Sequence, residues 1–408
     1  MLESLHLKNV GPAPEMDMEL ASRLNLITGD NGLGKSFLLD VAWWALTRTW
    51  ARSPVIPEAQ KFALIAYSYT ATGGSFRYES QFEARNMRWS VKAARPPNPG
   101  LILYAQVDGG FSVWDPARCY WTDDSSDRPN AFLFTPEEVW EGNPLCEGLI
   151  RDWAAWQRER GPIFETLKAV LEVLSPPGET LVPGELRKLT VDDPKRYPTL
   201  RMPYGQDVAV IHASAGMRRI LALTYLLVWA WQEHVAAAKL REESPAREVV
   251  FLIDEIDAHL HPNWQRRIVP ALLQVMDVLT KQHGSRVQLV TATHSPLVLA
   301  SAEPLFDVDR DAWFDLDLER GSVFLRKRPF VRHGEVGNWL TSEAFDLKEP
   351  RSQEAEEAIG EAQVILDGEL ASDEAIAAVN KKLSTAGLPD IDPFWVRWGY
   401  FLEQRGNR

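Results

Sequence analysis

The feature that most constrains the fold is a glycine-rich segment that lies between two apolar runs. Residues 29–36 have the sequence G-D-N-G-L-G-K-S, which fits the pattern G-x-x-x-x-G-K-S. A short strand-like apolar run at residues 24–27 precedes it, and a helix-like apolar run at residues 37–46 follows it. A strand, a tight loop and a helix in this order present backbone N–H groups and a helix N-terminus to a phosphate group. The sequence therefore predicts an α/β fold built around a phosphate-binding loop.

The side chains of this loop predict ATP and Mg²⁺ as cofactors. Glycines allow the backbone N–H groups to surround the β-phosphate, while Lys35 reaches the γ-phosphate and Ser36 binds Mg²⁺. A glycine-rich turn that binds nothing is the alternative that this pattern, taken alone, leaves open. The predicted nucleotide-binding residues of the loop are Asn31, Gly32, Leu33, Gly34, Lys35, Ser36 and Phe37.

A second apolar run, at residues 249–253, ends in the carboxylates of Asp254 and Glu255. Continuous apolar runs of this length are typical of strands buried in a parallel sheet. Asp254 is predicted to hold Mg²⁺ through its water shell, and Glu255 to polarise the water that attacks the γ-phosphate. The alternative, an acidic strand end that faces solvent, is disfavoured by the presence of Lys35 and Ser36.

A third strand-like run ends at His294. Its imidazole can donate a hydrogen bond to a γ-phosphate and so sense that group. A single histidine at a strand end is more often a structural hydrogen-bonding group, but its spacing after Glu255 favours the functional role. We therefore predict Lys35, Glu255 and His294 as catalytic residues. No zinc site is predicted at His259 and His261, because a structural zinc site needs further ligands close by.

A Ser-x-Gly segment at residues 214–216 precedes a long apolar helix. Ser214 is predicted to cap this helix. The serine hydroxyl and the free N–H groups beside Gly216 can also bind a γ-phosphate that another subunit presents. Most such segments are only caps. Arg218 and Arg219 are either phosphate contacts or part of a solvated first turn.

Together these segments resemble the RecF/SMC/OLD class of ABC ATPases. The resemblance rests on residues 29–36, 214–216, 253–262 and 293–296. It covers residues 1–300 and implies a P-loop NTPase fold of the ABC type, with a mixed sheet, flanking helices and an antiparallel β-subdomain. In this class residues 214–216 are the signature segment. The resemblance implies a homodimer or a higher homo-oligomer in which Ser214 and Gly216 of one head meet the ATP that Lys35 holds in the other.

The segment that follows the carboxylates narrows the resemblance. Residues 260–262 are Leu-His-Pro, as in OLD-type and related AAA-labelled defence ATPases, whereas transporter subunits place an aspartate where His261 stands. The sequence contains no long heptad stretches for coiled-coil arms, and the part after His294 shows no strand-end acidic pair for a Toprim nuclease. We therefore expect the chain itself to cut no nucleic acid.

The predicted function is that of an ATP-driven conformational switch. The chain resembles the ATPase subunits of bacterial antiphage systems such as Septu, which implies a separate effector subunit, often an HNH nuclease. One alternative is a RecF-like clamp on duplex DNA, which requires a positive patch across the closed dimer. A second alternative is a transporter-driving subunit with a membrane partner, which His261 disfavours.

The chain is predicted to contain four regions. Residues 1–134 are assigned to an ATPase lobe with the phosphate loop and an antiparallel β-subdomain, residues 135–205 to a helical lobe, residues 206–335 to a second ATPase lobe, and residues 336–408 to a helical tail. A β-layer beside the nucleotide lobe is expected at residues 67–114. Gln106 is either the Q-loop glutamine of the class or part of a simple hairpin. The tail either packs on itself or docks a partner.

Composition limits the remaining classes. The net charge of −13 argues against a surface that attracts nucleic acid everywhere. Cys119 and Cys146 are the only cysteines, so neither a disulfide scaffold nor a cysteine-rich metal site is expected. Because the sequence has no long apolar run and no export signal, we expect a cytoplasmic protein without a membrane partner. The scattered tryptophans are expected to pack in the core.

Overall fold

The computed structural model describes residues 1–58, 61–71, 73–91, 97–119, 130–280, 283–368 and 371–406. The chain divides into two compact units, residues 1–334 and residues 335–408. Within the described residues, no helix has both the length and the apolar composition that crossing a lipid bilayer requires.

The larger unit contains an eight-stranded mixed sheet. Its strands in spatial order are β16 (Ser322–Arg328), β15 (Asp311–Glu319), β3 (Leu24–Gly29), β14 (Arg286–Ala292), β13 (Glu248–Ile253), β7 (Leu101–Ala105), β8 (Phe111–Trp114) and β9 (Phe132–Phe134). The five strands from β15 to β7 run parallel, whereas β16, β8 and β9 are antiparallel to their neighbours. Strands β3, β13 and β7 are almost wholly buried. This is expected of a parallel sheet, because both of its faces are covered by other parts of the chain.

A second sheet in this unit is antiparallel throughout. Its strands in spatial order are β2 (Glu15–Glu19), β1 (Leu2–Lys8), β4 (Leu64–Ala71), β5 (Gly74–Glu83) and β6 (Arg88–Trp89). Buried and exposed residues alternate along β2, as the spacing of Met16 and Met18 predicts. The predicted hairpin at Gly73 and Gly74 is confirmed, because Ala71 pairs with Gly74.

The second predicted hairpin forms, but it lies in a different sheet from the one expected. Strands β7 and β8 pair antiparallel through the turn at residues 106–110. They belong to the eight-stranded sheet and not to a separate β-layer, because β7 also pairs in parallel with β13. The physical reason is that every residue of β7 is apolar and buried, which suits the interior of a parallel sheet.

Helices flank the sheets. In the larger unit they are α1 (Lys35–Thr47), α2 (Pro136–Glu141), α3 (Leu149–Glu159), α4 (Pro162–Leu174), α5 (Ala215–Leu240), α6 (Pro262–Thr280) and α7 (Pro296–Ala302). The capping box predicted at Thr135 is present, since its hydroxyl accepts from the N–H of Glu138 and the Glu138 carboxylate accepts from the N–H of Thr135. A small sheet of β10 (Val182–Pro183), β11 (Thr199–Arg201) and β12 (Asp207–Ala209) lies between α4 and α5 in sequence.

The smaller unit is helical, as predicted for the tail. Its helices are α8 (Val336–Leu340), α9 (Gln353–Leu366), α10 (Asp373–Thr385) and α11 (Pro393–Gly406). The apolar face of α9, with Ile359 and Ala362, packs into a core that includes Leu383 and Trp398. The indole N–H of Trp398 donates to the side-chain oxygen of Asn380 at 3.0 Å. The unit therefore has a core of its own.

Trp43, Trp153 and Trp313 are fully buried within the larger unit, as predicted for tryptophans at apolar spacing. Cys119 and Cys146 are both buried free thiols. The predicted α/β class, with a mixed sheet, flanking helices, a β-subdomain, a helical lobe and a helical tail, is confirmed.

Candidate active site

The predicted site residues follow the carboxyl ends of neighbouring parallel strands. The loop of Lys35 follows β3, His294 follows β14 closely, and the carboxylates of Asp254 and Glu255 follow β13. Because the carboxyl ends of parallel strands meet at one edge of a sheet, residues that are far apart in sequence gather there. The parallel order β3–β14–β13 thus brings three of the predicted segments together.

The phosphate loop enters helix α1 directly. Gly34 precedes the helix with φ of +106°, a conformation that L side chains rarely adopt, and a Cβ there would lie 2.8 Å from Cγ of Pro12. No side chain caps α1, so the N–H groups of its first turn remain for a ligand. Asn31 and Gly32 are exposed. The other loop residues are more enclosed, with Leu33 buried in the core and Phe37 half-buried.

Lys35 is held inside this loop. Its ammonium donates to the carbonyl oxygens of Gly29 at 2.6 Å and Asp30 at 2.8 Å. Burial lowers the pKa of Lys35, while the nearby carboxylates of Glu255, Asp30 and Asp254 act in the opposite direction. The cation therefore lies inside the loop, bound to two of its carbonyl oxygens.

The residues predicted to hold Mg²⁺ are in direct contact. The hydroxyl of Ser36 donates to Oδ1 of Asp254 at 2.8 Å, although the two residues are 218 positions apart. Asp254 is 0% exposed. A hydroxyl and a buried carboxylate are hard oxygen ligands, the type that Mg²⁺ prefers, so the residues present fit this ion.

Glu255 and His294 face each other at the same edge. Nε2 of His294 lies 3.9 Å from Oε1 of Glu255. Burial lowers the pKa of His294, and the ammonium of Lys35 lowers it further. Asp257 fixes the backbone of this segment, since its Oδ1 accepts from the hydroxyl of Thr293 at 2.5 Å and from the N–H of His294 at 3.2 Å.

A partly buried polar network lies behind Asp254, and no sequence pattern predicts it. Arg52 donates to Oδ2 of Asp254 at 3.1 Å and to the Tyr104 hydroxyl at 2.7 Å. Its Nε donates to both carboxylate oxygens of Asp40, at 3.0 and 3.1 Å. Burial raises the pKa of Asp40, and the Arg52 guanidinium opposes that rise. No local sequence pattern marks these residues, because their partners lie on separate elements.

The signature segment lies beside a different cavity. Ser214 caps α5 as predicted, with its hydroxyl accepting from the N–H of Met217 at 3.3 Å. Ser214 and Gly216 line a cavity of about 350 Å³ whose wall includes neither Lys35 nor Asp254. A Cβ on Gly216 would lie 2.5 Å from the carbonyl oxygen of His259, so glycine is required for this close approach.

The two arginines at the start of the signature helix differ, because Arg218 is exposed, as a solvated first turn predicts, whereas Arg219 binds backbone carbonyls. Arg219 is largely buried and donates to three backbone carbonyls, those of Val107 at 2.9 Å, Asp254 at 2.8 Å and Glu255 at 2.8 Å. The expectation of a phosphate contact or a solvated turn is therefore wrong for Arg219, because its donors connect α5 to the strand end. Arg218 lies over the ring of Trp140, 4.8 Å from its centroid.

Gln106 belongs to the hairpin between β7 and β8. Its side-chain amide donates to the Ser112 hydroxyl at 2.9 Å, and its backbone N–H donates to the carbonyl of Gly110, also at 2.9 Å. The sequence left open whether Gln106 is a Q-loop glutamine or part of a simple hairpin, and its contacts in the structure are those of the hairpin.

Comparison with known proteins identifies the central part of the chain. Residues 111–300 match the family model described as "AAA domain, putative AbiEii toxin, Type IV TA system". This segment contains Ser214, Asp254, Glu255 and His294. The match over this segment agrees with the predicted ATPase class.

Relatives and solved structures resemble parts of the chain. "Retron Ec83 probable ATPase" of Escherichia coli is 31% identical over 98 residues, which are 24% of this chain and 15% of that protein. Septu protein PtuA of Bacillus thuringiensis is 31% identical over 130 residues, which are 30% of this chain and 28% of that protein. The alignments therefore span less than a third of either relative. The crystal structure of an SMC head bound to the C-winged helix domain of ScpA is 16% identical with a TM-score of 0.44, covering 80% of this chain and 98% of that chain.

Proposed function

We propose that the chain binds Mg·ATP at the loop of Lys35 and hydrolyses it. The observation that carries the proposal is the hydrogen bond between Ser36 and the buried carboxylate of Asp254, which joins the phosphate loop to the strand end. In this arrangement Lys35 and the N–H groups of α1 bind the phosphates. Ser36 and Asp254 hold Mg²⁺, which when bound neutralises charge on the β- and γ-phosphate oxygens.

Glu255 and His294 supply the remaining groups for hydrolysis. The attacking water forms a bond to the γ-phosphorus while Glu255 accepts a proton from it. The bond between the γ-phosphorus and the β-γ bridging oxygen breaks, and ADP leaves. His294 donates a hydrogen bond to the γ-phosphate. The lowered pKa of His294 keeps its imidazole neutral near pH 7, with one N–H to donate.

The active form in this proposal is a homodimer that closes head to head on ATP. Ser214 is exposed at the start of α5, where its hydroxyl and the helix N-terminus can reach a phosphate outside the chain. Since the cavity of Ser214 and Gly216 contains no residue of the phosphate loop, a γ-phosphate from a second copy is the ligand that fits the resemblance.

The proposed biological role is that of an antiphage switch which controls a separate effector, such as an HNH nuclease. This role rests on the resemblance to Septu ATPase subunits and on the 31% sequence identity with part of Septu protein PtuA. ATP-driven closure of two heads provides the two states that a switch needs.

Nucleotide retention tests this proposal at its foundation. The purified chain is titrated with a fluorescent ATP analogue with and without Mg²⁺. We expect Mg²⁺-dependent binding that Ser36→Ala and Asp254→Asn both weaken, while the exposed control Ser22→Ala binds normally. Binding by the two site variants with the Mg²⁺ dependence of the parent chain would overturn the assignment, as would a parent chain that retains no nucleotide.

A further inference from the structure

The cavity beside the signature segment is lined by an arginine to which the proposed dimer assigns no role. Ser214, Gly216 and Arg201 all line it. Among the described residues of its wall, Arg201 is the only lysine or arginine. Glu179 also lines the cavity, but its carboxylate accepts from the side chains of Asn263 at 2.9 Å and Trp264 at 3.1 Å.

The backbone fixes the position of Arg201 relative to the start of α5. Arg201 ends strand β11 and pairs across the small sheet with Asp207 of β12. The turn Val210–His212 and one further residue then lead from β12 to Ser214. The N–H of Val210 donates to the carbonyl of Pro198 at 3.0 Å, which ties this turn back to the residue before β11. The hairpin and the helix start are thus one short, hydrogen-bonded piece of the chain.

The guanidinium of Arg201 is available to an incoming anion. Its side chain is 59% exposed, and it forms a bidentate pair with Asp207, in which Nε donates to Oδ1 at 2.9 Å and Nη2 donates to Oδ2 at 3.3 Å. Because this pair lies at the surface and water screens it, a phosphate can share the guanidinium with the carboxylate. Asp207 keeps a second partner, because its Oδ2 accepts from the N–H of Glu185 at 3.1 Å. Arginine binds phosphate through two parallel N–H···O bonds, which a serine hydroxyl alone does not provide.

We infer that Arg201 contacts the phosphates of the ATP held by a second copy of the chain, beside Ser214 and Gly216. This inference rests on the proposed dimer and adds a charged residue to its trans contact. The two arginines at the start of α5 are engaged elsewhere, since Arg219 binds three carbonyls and Arg218 lies over Trp140. Each active site of the closed dimer therefore combines Lys35 of one copy with Arg201 of the other.

A single substitution gives the first test. With Arg201→Gln, we expect Mg·ATP hydrolysis to fall by about 10- to 100-fold, the range for losing a hydrogen bond to a charged group, while ATP binding by the monomer is unchanged. The matched control is Arg187→Gln, because Arg187 is an exposed arginine near the same Asp207 that does not line the cavity. Equal rates for the two variants would overturn the inference.

Mixed assemblies of two differently tagged copies test the trans arrangement. When Lys35→Ala and Arg201→Gln are in the same copy and the other copy is unchanged, both sites of the dimer are damaged, and we expect almost no hydrolysis. When the two substitutions are in different copies, one intact site remains, and about half of the parent rate is expected. The reverse pattern would mean that Arg201 serves the ATP of its own copy, which contradicts the inference.

The same assay with Ser214→Arg in place of Arg201→Gln separates the two proposals. If Ser214 shows the trans pattern and Arg201 has no effect, the dimer stands and only the role of Arg201 fails. If Ser214→Arg instead gives the pattern of a residue that serves the ATP of its own copy, the head-to-head dimer is wrong. The inference about Arg201 is then wrong as well.

Discussion

The two sides of the proposed active site differ in how far a single chain completes them. The P-loop side, which comprises residues 29–37, Asp254, Glu255 and His294, is joined by contacts between distant segments, such as Ser36 with Asp254. The signature side, residues 214–216, makes a local cap, in which Ser214 accepts from Met217, and its first two residues are exposed. One side is tied to the sheet edge through the buried Asp254, whereas the other presents a helix start to solvent.

This difference assigns separate tasks to the two sides. The buried carboxylate of Asp254 and the desolvated Lys35 interact strongly with Mg²⁺ and phosphate, because water screens them little. An exposed helix start binds an anion more weakly, because water and salt screen the interaction. Nucleotide binding is therefore expected to need one chain and hydrolysis two. The predictions below test that division.

The largest expected effect concerns the base on the P-loop side. Glu255→Gln removes the proton acceptor but keeps the shape of the side chain, so we expect hydrolysis to fall by about 10²- to 10⁴-fold. ATP binding is expected to persist, and dimer is expected to accumulate with ATP in size-exclusion chromatography. Glu172→Gln, on the exposed face of α4, is the control and should hydrolyse ATP at the parent rate. A Glu255→Gln chain with unchanged turnover would remove the assigned base.

The next effect concerns the signature side alone. Ser214→Arg places a bulky side chain where the second head must approach, and we expect hydrolysis to fall by about 10²- to 10³-fold, as when donors to a reacting group are removed. Binding of ATP to the monomer should be normal. The matched control is Ser372→Arg at the exposed N-cap of α10, which carries the same loss of a capping serine in the other unit. Normal hydrolysis by Ser214→Arg would contradict a trans contact.

The sequence predicts the P-loop side well because each of its parts is a local pattern. Lys35, Asp254 and His294 each follow an apolar strand, and strand order alone brings their ends together. It does not predict Arg52 or Arg219. Their roles depend on which elements pack side by side, and neither residue stands in a periodic or motif context.

The sequence is limited in the same way in predicting which sheet a strand belongs to. The sequence predicts the β7–β8 hairpin from its turn residues, but the pairing of Phe251 with Leu103 that places this hairpin in the main sheet joins residues far apart in the chain. Patterns of burial indicate that a strand is internal, not which strand lies beside it.

A third prediction tests the connection between the two sides. Arg219→Met keeps most of the apolar stem and leaves the carbonyls of Val107, Asp254 and Glu255 without their donor. We expect the free energy of unfolding to fall by about 3 kcal/mol, since three backbone carbonyls each lose a hydrogen bond from a charged donor. Urea unfolding measures this, with Arg218→Met as the control, because Arg218 is exposed and only stacks on Trp140. Equal losses for the two variants would show that Arg219 does not connect the sides.

The smallest effect concerns the contact between the signature helix and α3, where a partly buried acid responds to pH. The hydroxyl of Tyr225, on α5, donates to Oδ2 of Asp152, on α3, at 2.7 Å. Burial raises the pKa of Asp152 from 3.8 to about 6. The folded chain thus holds this proton more tightly than the unfolded chain, so its stabilising contribution is complete below about pH 4 and is lost as the pH rises through about 6.

Replacing this acid removes the pH response. Because Asp152 is partly exposed and water screens its charge, the pH response amounts to about 2 kcal/mol or less in the free energy of unfolding. Asp152→Asn cannot titrate, so its loss of stability between about pH 4 and pH 7.5 should be smaller than that of the parent chain by this amount, measured in urea at both pH values. Asp192→Asn, at an exposed position, should follow the parent chain. Parallel curves for Asp152→Asn and the parent would mean that the signature helix packs against α3 independently of this proton.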